Sequence, residues 1–471
     1  MEEKLDISTI KPVLQKRWKL ITKRAKNYLL DYSFISKHPE KRKSIEIDKE
    51  VANVIQYFDG NKSLNYIINE LLVDKLHEEQ MCVILNLIKN GVIIDINDYK
   101  EDATLDNMKV CVKCVNNNYI IPDLEFNEDG VCTICQLYDK SIKDMTWAKN
   151  VIDDEGLLSY TKGNNSRFDV MILYTGGKDS SFLLWYLAKK LGLRVLAATW
   201  NMPFMQETAL NNIKSAMKRL PNVEFIQRTV RLDEMREAIK VSMNEKGVPC
   251  LCPFVAYLLF YPLAIQENIP LIIDGAEKVQ TIMMENVFDS TVTSTSEAND
   301  RDQTFAELMI ILRSIKSKNY NKNNEIPFLN EADKIIAHVY NNNKIPIIKH
   351  LSNTESYEKW IDIVKIIETE LDWKMPTGQE ALLHTSCKIE KVKDYCQYKL
   401  YKNMRTSIVP QSVKEISAAV YLGYITREQG LKELNESGYF KEPQCLNDVL
   451  ELLDIKKSEI GSIGGEFDFV V

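Results

Sequence analysis

The sequence predicts an α/β protein built on a doubly wound parallel sheet. A winged-helix-like unit and a zinc ribbon precede the sheet, and a helical C-terminal region follows it. Three observations carry that expectation. From about residue 168, apolar runs of strand length alternate with helix-length segments, as in a parallel sheet covered on both faces. A glycine turn, Gly176-Gly177, follows the first of these runs. Upstream, Cys111, Cys114, Cys132 and Cys135 stand in two pairs at metal-ligand spacing.

The chain has 471 residues, too many for one average core, so several domains are expected. The changes of pattern divide it into 1–100, 101–145, 146–345 and 346–471. The net charge of −7 gives no global reason to expect nucleic acid. A local basic stretch, from Lys11 to Lys26 and again from Lys37 to Lys43, reads as a solvated helix face. Met1-Glu2-Glu3-Lys4 leads into polar sequence rather than a signal-peptide core. No run approaches the roughly 18 apolar residues that cross a bilayer. A soluble, cytoplasmic chain with no membrane partner is therefore expected. Its cysteines then point to metal, catalysis or burial rather than to disulfides.

Residues 44–96 read as one compact unit. Ser44 to Asp48 gives a short strand and a cap. Lys49 to Phe58 gives a helix with Val51, Val54, Ile55 and Phe58 on one face. Ser63 caps a second helix, Glu78 to Lys89 forms a third, and 92–96 is a closing strand. Next come Cys111-Val112-Lys113-Cys114 and Cys132-Thr133-Ile134-Cys135, with 17 residues between the pairs. Two such knuckles place four thiolates around a tetrahedral ion and leave no open position, which is a structural zinc site.

Strands are expected at Val170–Leu173, Arg194–Thr199, Val223–Ile226 and Pro270–Asp274, with helices near 180–191, 207–219, 231–245 and 254–267. The Asn/Lys tracts 317–324 and 341–344 read as loops, and the chain from 355 onward as mainly helical. Tyr174-Thr175-Gly176-Gly177-Lys178-Asp179-Ser180-Ser181 lies between the first strand and its helix. Free N–H groups at a helix start, glycines without Cβ, a mobile lysine and hydroxyl donors make an anion site. The spacing is not that of a Walker A loop, because the glycines are adjacent and Asp179 follows Lys178.

This loop resembles the S-G-G-x-D-S loop of the PP-loop ATP pyrophosphatases, with Thr175 in place of the first serine. The resemblance implies that the loop grips the pyrophosphate half of ATP and that cleavage falls between the α and β phosphates. It also implies that Thr199, Trp200 and Asn201 lie near the adenine. Asp274-Gly275 resembles the superfamily's later glycine–acid motif, and Asp274 or Asp179 would reach Mg2+. The stretch 122–132 and the tail at Thr377–Glu380, His384–Cys387 and Gly423–Gln429 resemble the N-acetyl sugar amidotransferases, so the likeness spans about 105 to 440. Phe58-Asp59-Gly60, Ser63-Leu64 and Ile67-Ile68 look like a PqqD-like domain, which implies docking of a peptide or carrier protein.

Cys250-Leu251-Cys252 opens the helix at 254, and a thiol at a helix start has a lowered pKa. Together with Cys387 it suits a persulfide or an iron–sulfur cluster, as in sulfur-inserting relatives. The expected reaction adenylates a carbonyl oxygen and then transfers sulfur to give a thioamide, with Lys178, Asp179, Cys250, Cys252 and Cys387 as its residues. The expected partners are a substrate-bearing peptide or carrier protein and a sulfur donor protein or sulfide, and a homodimer fits. The alternatives are ammonia from a glutaminase partner and thiolation of tRNA. Cys82, Cys396 and Cys445 read as structural.

Overall fold

The computed structural model of the chain describes residues 9–23, 25–31, 44–71, 77–99, 101–122, 124–136, 151–161, 163–246, 249–250, 252–280, 299–315, 331–355, 359–404 and 410–461. The described residues within Met1–Lys109 and Asn117–Phe126 form one compact unit. Those within Val110–Asn116, Asn127–Met404 and Ile408–Val471 form another.

In the first unit, strands β1 (Pro12–Leu14), β2 (Trp18–Lys23) and β3 (Lys26–Asp31) run through the basic stretch that reads as a helix face. The segment from Lys37 to Lys43 lies outside the described residues. Strand geometry wins because Trp18 and Leu20, two residues apart, pack inward on one face with Lys19 between them. β2, β3 and β4 (Ser44–Ile47) form an antiparallel sheet. Asp48 caps the helix Lys49–Ile55 by accepting from Val51 N at 2.7 Å, and Ser63 caps Leu64–Tyr66 from 3.2 Å. Val51, Val54, Ile55 and Phe58 all enter the core with Trp18, Leu29 and Ile84. The closing strand β5 (Ile93–Asp95) is paired along one side by β1.

The second unit is organised by a parallel sheet. Its strands are β6 (Val170–Leu173), β7 (Val195–Trp200), β8 (Glu224–Arg228), β9 (Leu271–Asp274) and β10 (Ile347–His350). Among the described residues they lie in the order β10-β9-β6-β7-β8, every pair parallel. The first strand of the series is central, and the chain winds outward to one side and then to the other. The sheet therefore has a topological switch point between β6 and β9, where open α/β sheets bind ligands beyond the strand ends. β6 is buried along its whole length, as a continuous apolar run in a covered sheet must be. β10 is absent from the sequence reading: its apolar stretch is short, follows Pro346 and carries Lys349 and His350. Helices occur at Lys178–Trp185, Glu207–Arg219, Leu232–Lys246 and Cys252–Gln266, close to the expected bounds. The expected loop 317–324 lies outside the described residues. None of the described helices is long and apolar enough to cross a membrane.

The turn after β6 packs directly on the next helix. At Gly176, with φ +72°, a Cβ would come within 2.3 Å of the Ala209 carbonyl oxygen. Gly176→Ala should therefore destabilise the protein by at least about 2 kcal/mol, combining left-handed strain with a backbone clash. Denaturant unfolding of the variant against the wild type checks this.

Candidate active site

The loop grows out of β6. Tyr174 continues the strand, donating its N–H to Ala198 O at 2.8 Å, while its own carbonyl accepts from Thr199 Oγ1 at 2.8 Å. Its phenol is buried 3.4 Å from Ser181 Oγ. The chain then turns at Gly176, whose carbonyl oxygen accepts from Trp373 Nε1 at 3.0 Å and Asn212 Nδ2 at 3.3 Å. Gly177 is the residue before the helix Lys178–Trp185 and offers no side-chain cap. Thr175 and Ser180 pair their hydroxyls at 3.0 Å across the turn.

Lys178 departs from the expectation of a mobile cation at an exposed edge. It is only 1% exposed. Its ammonium forms an ion pair with Asp179, lies 3.9 Å from Glu277 Oε1 and sits 4.5 Å from the centre of the Trp360 ring. Trp360 Nε1 donates to Glu277 Oε2 at 2.8 Å, which fixes the carboxylate. Burial pulls the lysine pKa down, but the two carboxylates outweigh it and the net shift is upward, so the group stays charged. The reason for the difference is that the charge has its counter-ions and an aromatic face within the protein.

Asp274 ends β9 and Gly275 follows it, so both flank the switch point with the loop. A Cβ on Gly275 would lie 3.2 Å from Ser180 N, which places this turn against the loop helix. Asp274 has both oxygens engaged within the protein: Tyr257 OH at 2.8 Å on one, His350 Nδ1 at 2.8 Å and Ala276 N at 3.0 Å on the other. Burial raises its pKa, yet His350 and these donors bring it below the ordinary value. Its place is thus to tie β9 to β10 rather than to present a free carboxylate to Mg2+. Trp200 ends β7. Asn201, just beyond, donates its N–H to Arg228 O at 2.8 Å, so both stand on the β7–β8 side of the loop.

A segment far along the chain covers the loop. Thr385 Oγ1 accepts from Lys178 N at 3.0 Å. A Cβ on Gly177 would lie 3.0 Å from Ser386 Cβ. The segment is held against residues 204–206, with Lys388 N donating to Phe204 O at 2.8 Å and Gln206 N to Ser386 O at 3.0 Å. From the other side, Glu433 accepts from Leu382 N at 2.6 Å and Leu383 N at 3.0 Å. His384 is buried between Asp394, 3.0 Å from Nε2, and Glu390, 3.3 Å from Nδ1. Burial lowers its pKa, but the two carboxylates prevail and lift it to about 10, an imidazolium that pins the segment.

Cys387 ends this segment, with its thiol donating to Met202 Sδ at 4.0 Å. Burial pushes the thiol well above its ordinary pKa, so it rests as a thiol. Cys250 is half-buried. Cys252 is the first residue of its helix, and its side chain lies outside the described residues. Sequence reasoning did not reach Trp360, Trp373 or Glu433. Thr385 and Ser386 were legible only as neighbours of Cys387.

The four knuckle cysteines come together as their spacing requires. All four Sγ atoms lie within 4.8 Å of one another, with Cys111–Cys135 at 3.9 Å and Cys114–Cys132 at 3.7 Å. A tetrahedron with metal–sulfur bonds of about 2.3 Å has edges of about 3.8 Å. The N–H groups of Lys113, Asn116 and Cys132 point at the sulfurs from 3.3–3.4 Å, as outer partners of thiolate ligands do. The set fits a tetrahedral ion such as zinc. Arg427 ties it to the rest of the unit through the carbonyls of Cys111 at 2.9 Å and Cys114 at 3.2 Å.

The fold and site together define an α/β domain with a Gly-Gly loop at the switch point of a parallel sheet: a central parallel strand, a Gly-Gly turn at its carboxyl end and a helix opening on Lys-Asp-Ser-Ser. No protein-family profile matches the chain, and no curated protein does. Solved structures similar to it include the U34-tRNA thiolase NcsA from Methanococcus maripaludis with its 4Fe-4S cluster. That structure is 15% identical, covers 72% of this chain and 90% of its own, and has a TM-score of 0.29. NMN synthetase from Francisella tularensis is 14% identical over 42% of this chain and 92% of its own, with a TM-score of 0.23. NH3-dependent NAD synthetase from Campylobacter jejuni is 15% identical over 45% of this chain and 99% of its own, with a TM-score of 0.24. These values are too low to carry anything to individual residues, and the fold rests on the sheet and loop of this chain.

Metal at the knuckles should be an element of stability. Metal analysis of the purified protein should give one bound ion per chain, and Cys114→Ser should lose it and melt at a lower temperature. A chelator should lower the wild-type melting temperature and leave the variant unchanged. Wild-type protein free of metal with all four thiols open to alkylation would refute the site.

Proposed function

We propose that the chain is an ATP-using enzyme that adenylates a carbonyl oxygen, releases pyrophosphate and then transfers sulfur to give a thioamide. The observation that carries the first half is the Gly-Gly loop at the switch point of the parallel sheet, opening directly into a helix start, the place where such folds bind anions. The substrate oxygen forms a bond to the α-phosphorus, and the bond from that phosphorus to the α–β bridging oxygen breaks. Pyrophosphate leaves with its charge held by the loop N–H groups and by the hydroxyls of Thr175 and Ser180, and Mg2+ would accompany it. The step replaces a poor leaving oxygen by AMP. Sulfide then adds to the activated carbon and AMP departs with the original oxygen.

Sulfur is favoured over ammonia because Cys387 stands two residues beyond Thr385, on the segment that covers the loop, with Cys250 in electrostatic reach. In the persulfide version, the terminal sulfur of one cysteine bonds to the activated carbon. A second thiol then releases it by forming a disulfide, which supplies the two electrons. In the other version Cys250, Cys252 and Cys387 would hold an iron–sulfur cluster that brings sulfide to the site. A peptide or carrier-bound substrate is favoured by the separate N-terminal unit, whose Tyr57 and Tyr66 are both 46% exposed.

Incubation with ATP, a sulfur source and candidate tethered substrates should add about 16 mass units per exchanged oxygen, whereas an ammonia reaction would subtract about one. Cys250→Ser should abolish the mass gain but leave AMP formation. Deletion of residues 1–98 should slow turnover of a tethered substrate more than it weakens ATP binding. A Cys250→Ser enzyme that makes product at the wild-type rate would replace sulfur by ammonia as the nucleophile.

A further inference from the structure

Thr385 lies 207 residues beyond Lys178 and yet accepts the first N–H of the loop helix at 3.0 Å. Its side chain is buried, 4% exposed. Accepting that bond uses one lone pair and leaves the hydroxyl proton. Among the described residues no acceptor takes this proton, although a buried hydroxyl donor ordinarily finds one. The hydroxyl is held firmly at this place. Its segment is bonded to residues 204–206 on one side and to Glu433 on the other, and a Cβ at Gly177 would lie 3.2 Å from Thr385 Oγ1.

A rigid, buried donor with a free proton at the start of the loop helix matches an oxyanion, which accepts and never donates. We propose that Thr385 is part of the pyrophosphate site. Its hydroxyl accepts from Lys178 N and donates its proton to an oxygen of the departing diphosphate, so the C-terminal region completes a cradle that the loop only begins. The inference rests on the reading of the loop as the ATP site and adds to it a donor from outside the loop motif. It also gives the adjacent glycine a second reason to lack a side chain, since the hydroxyl must reach past it.

The test is calorimetric binding of pyrophosphate and of AMP to the full chain in the presence of Mg2+, for wild type, Thr385→Val and Thr385→Ser. Valine keeps the shape and removes the donor, whereas serine keeps the donor. Thr385→Val should bind pyrophosphate roughly ten-fold more weakly, the effect of one hydrogen bond to a charged group, with AMP affinity unchanged. Thr385→Ser should stay within about three-fold of wild type on the same reasoning. Pyrophosphate bound by Thr385→Val as tightly as by wild type, or more tightly, would overturn the role of Thr385 and leave the loop assignment standing. Wild-type protein that binds neither pyrophosphate nor ATP would overturn both. If the valine variant does not fold by circular dichroism, Thr385→Ala against Thr385→Ser decides by the same criterion.

Discussion

The backbone at Gly176 lies too close to the Ala209 carbonyl to carry a side chain and that at Gly177 is tightly packed, and the arrangement of the ligand edge of the sheet depends on that closeness. The Ala209 carbonyl stands on one side of the turn, and Ser386 and Thr385 stand on the other. Trp373 and Asn212 bond the Gly176 carbonyl and hold it away from the helix start. Sheet, loop, following helix and C-terminal segment thus meet at two residues with no Cβ.

The electrostatics of the site follow from the burial of Lys178. Asp179 and Glu277 balance its charge inside the protein, and Trp360 offers its ring face to the ammonium. A buried cation so paired is expensive to separate from its partners, so its first role is to fix the loop to β9 and to the helix Trp360–Leu371. Under the proposed function, attraction of a polyphosphate would fall mainly on backbone N–H groups and hydroxyls rather than on this lysine. The His350–Asp274 pair works in the same way at the end of β10. Both are ionic ties across strand ends that keep the switch point in one geometry.

Much of the second unit was legible because its signals are local. Val170–Leu173 reads as a buried strand from four residues, Gly176-Gly177 as a turn from two, and the Cys-x2-Cys pairs as a metal site from spacing alone. The basic N-terminal stretch failed because lysines hide a period of two: Trp18 and Leu20 face the core with Lys19 between them. β10 failed because a strand at a sheet edge needs few apolar residues, and its pairing with β9 depends on residues about 75 positions away. Lys178 was misjudged for a related reason. Its charge looks free in sequence, and the groups that bury it, Glu277 and Trp360, come from distant segments. Thr385 belongs to the same class, since nothing in His384-Thr385-Ser386-Cys387 says which helix start it meets.

The central claim is that the loop after β6 grips the pyrophosphate half of ATP. Phosphorus-31 NMR of the full-length protein turning over ATP with a carbonyl acceptor tests it most directly. The account predicts AMP and pyrophosphate appearing together in equal amounts, with both signals lost in Lys178→Ala. ADP and orthophosphate as the products would contradict it.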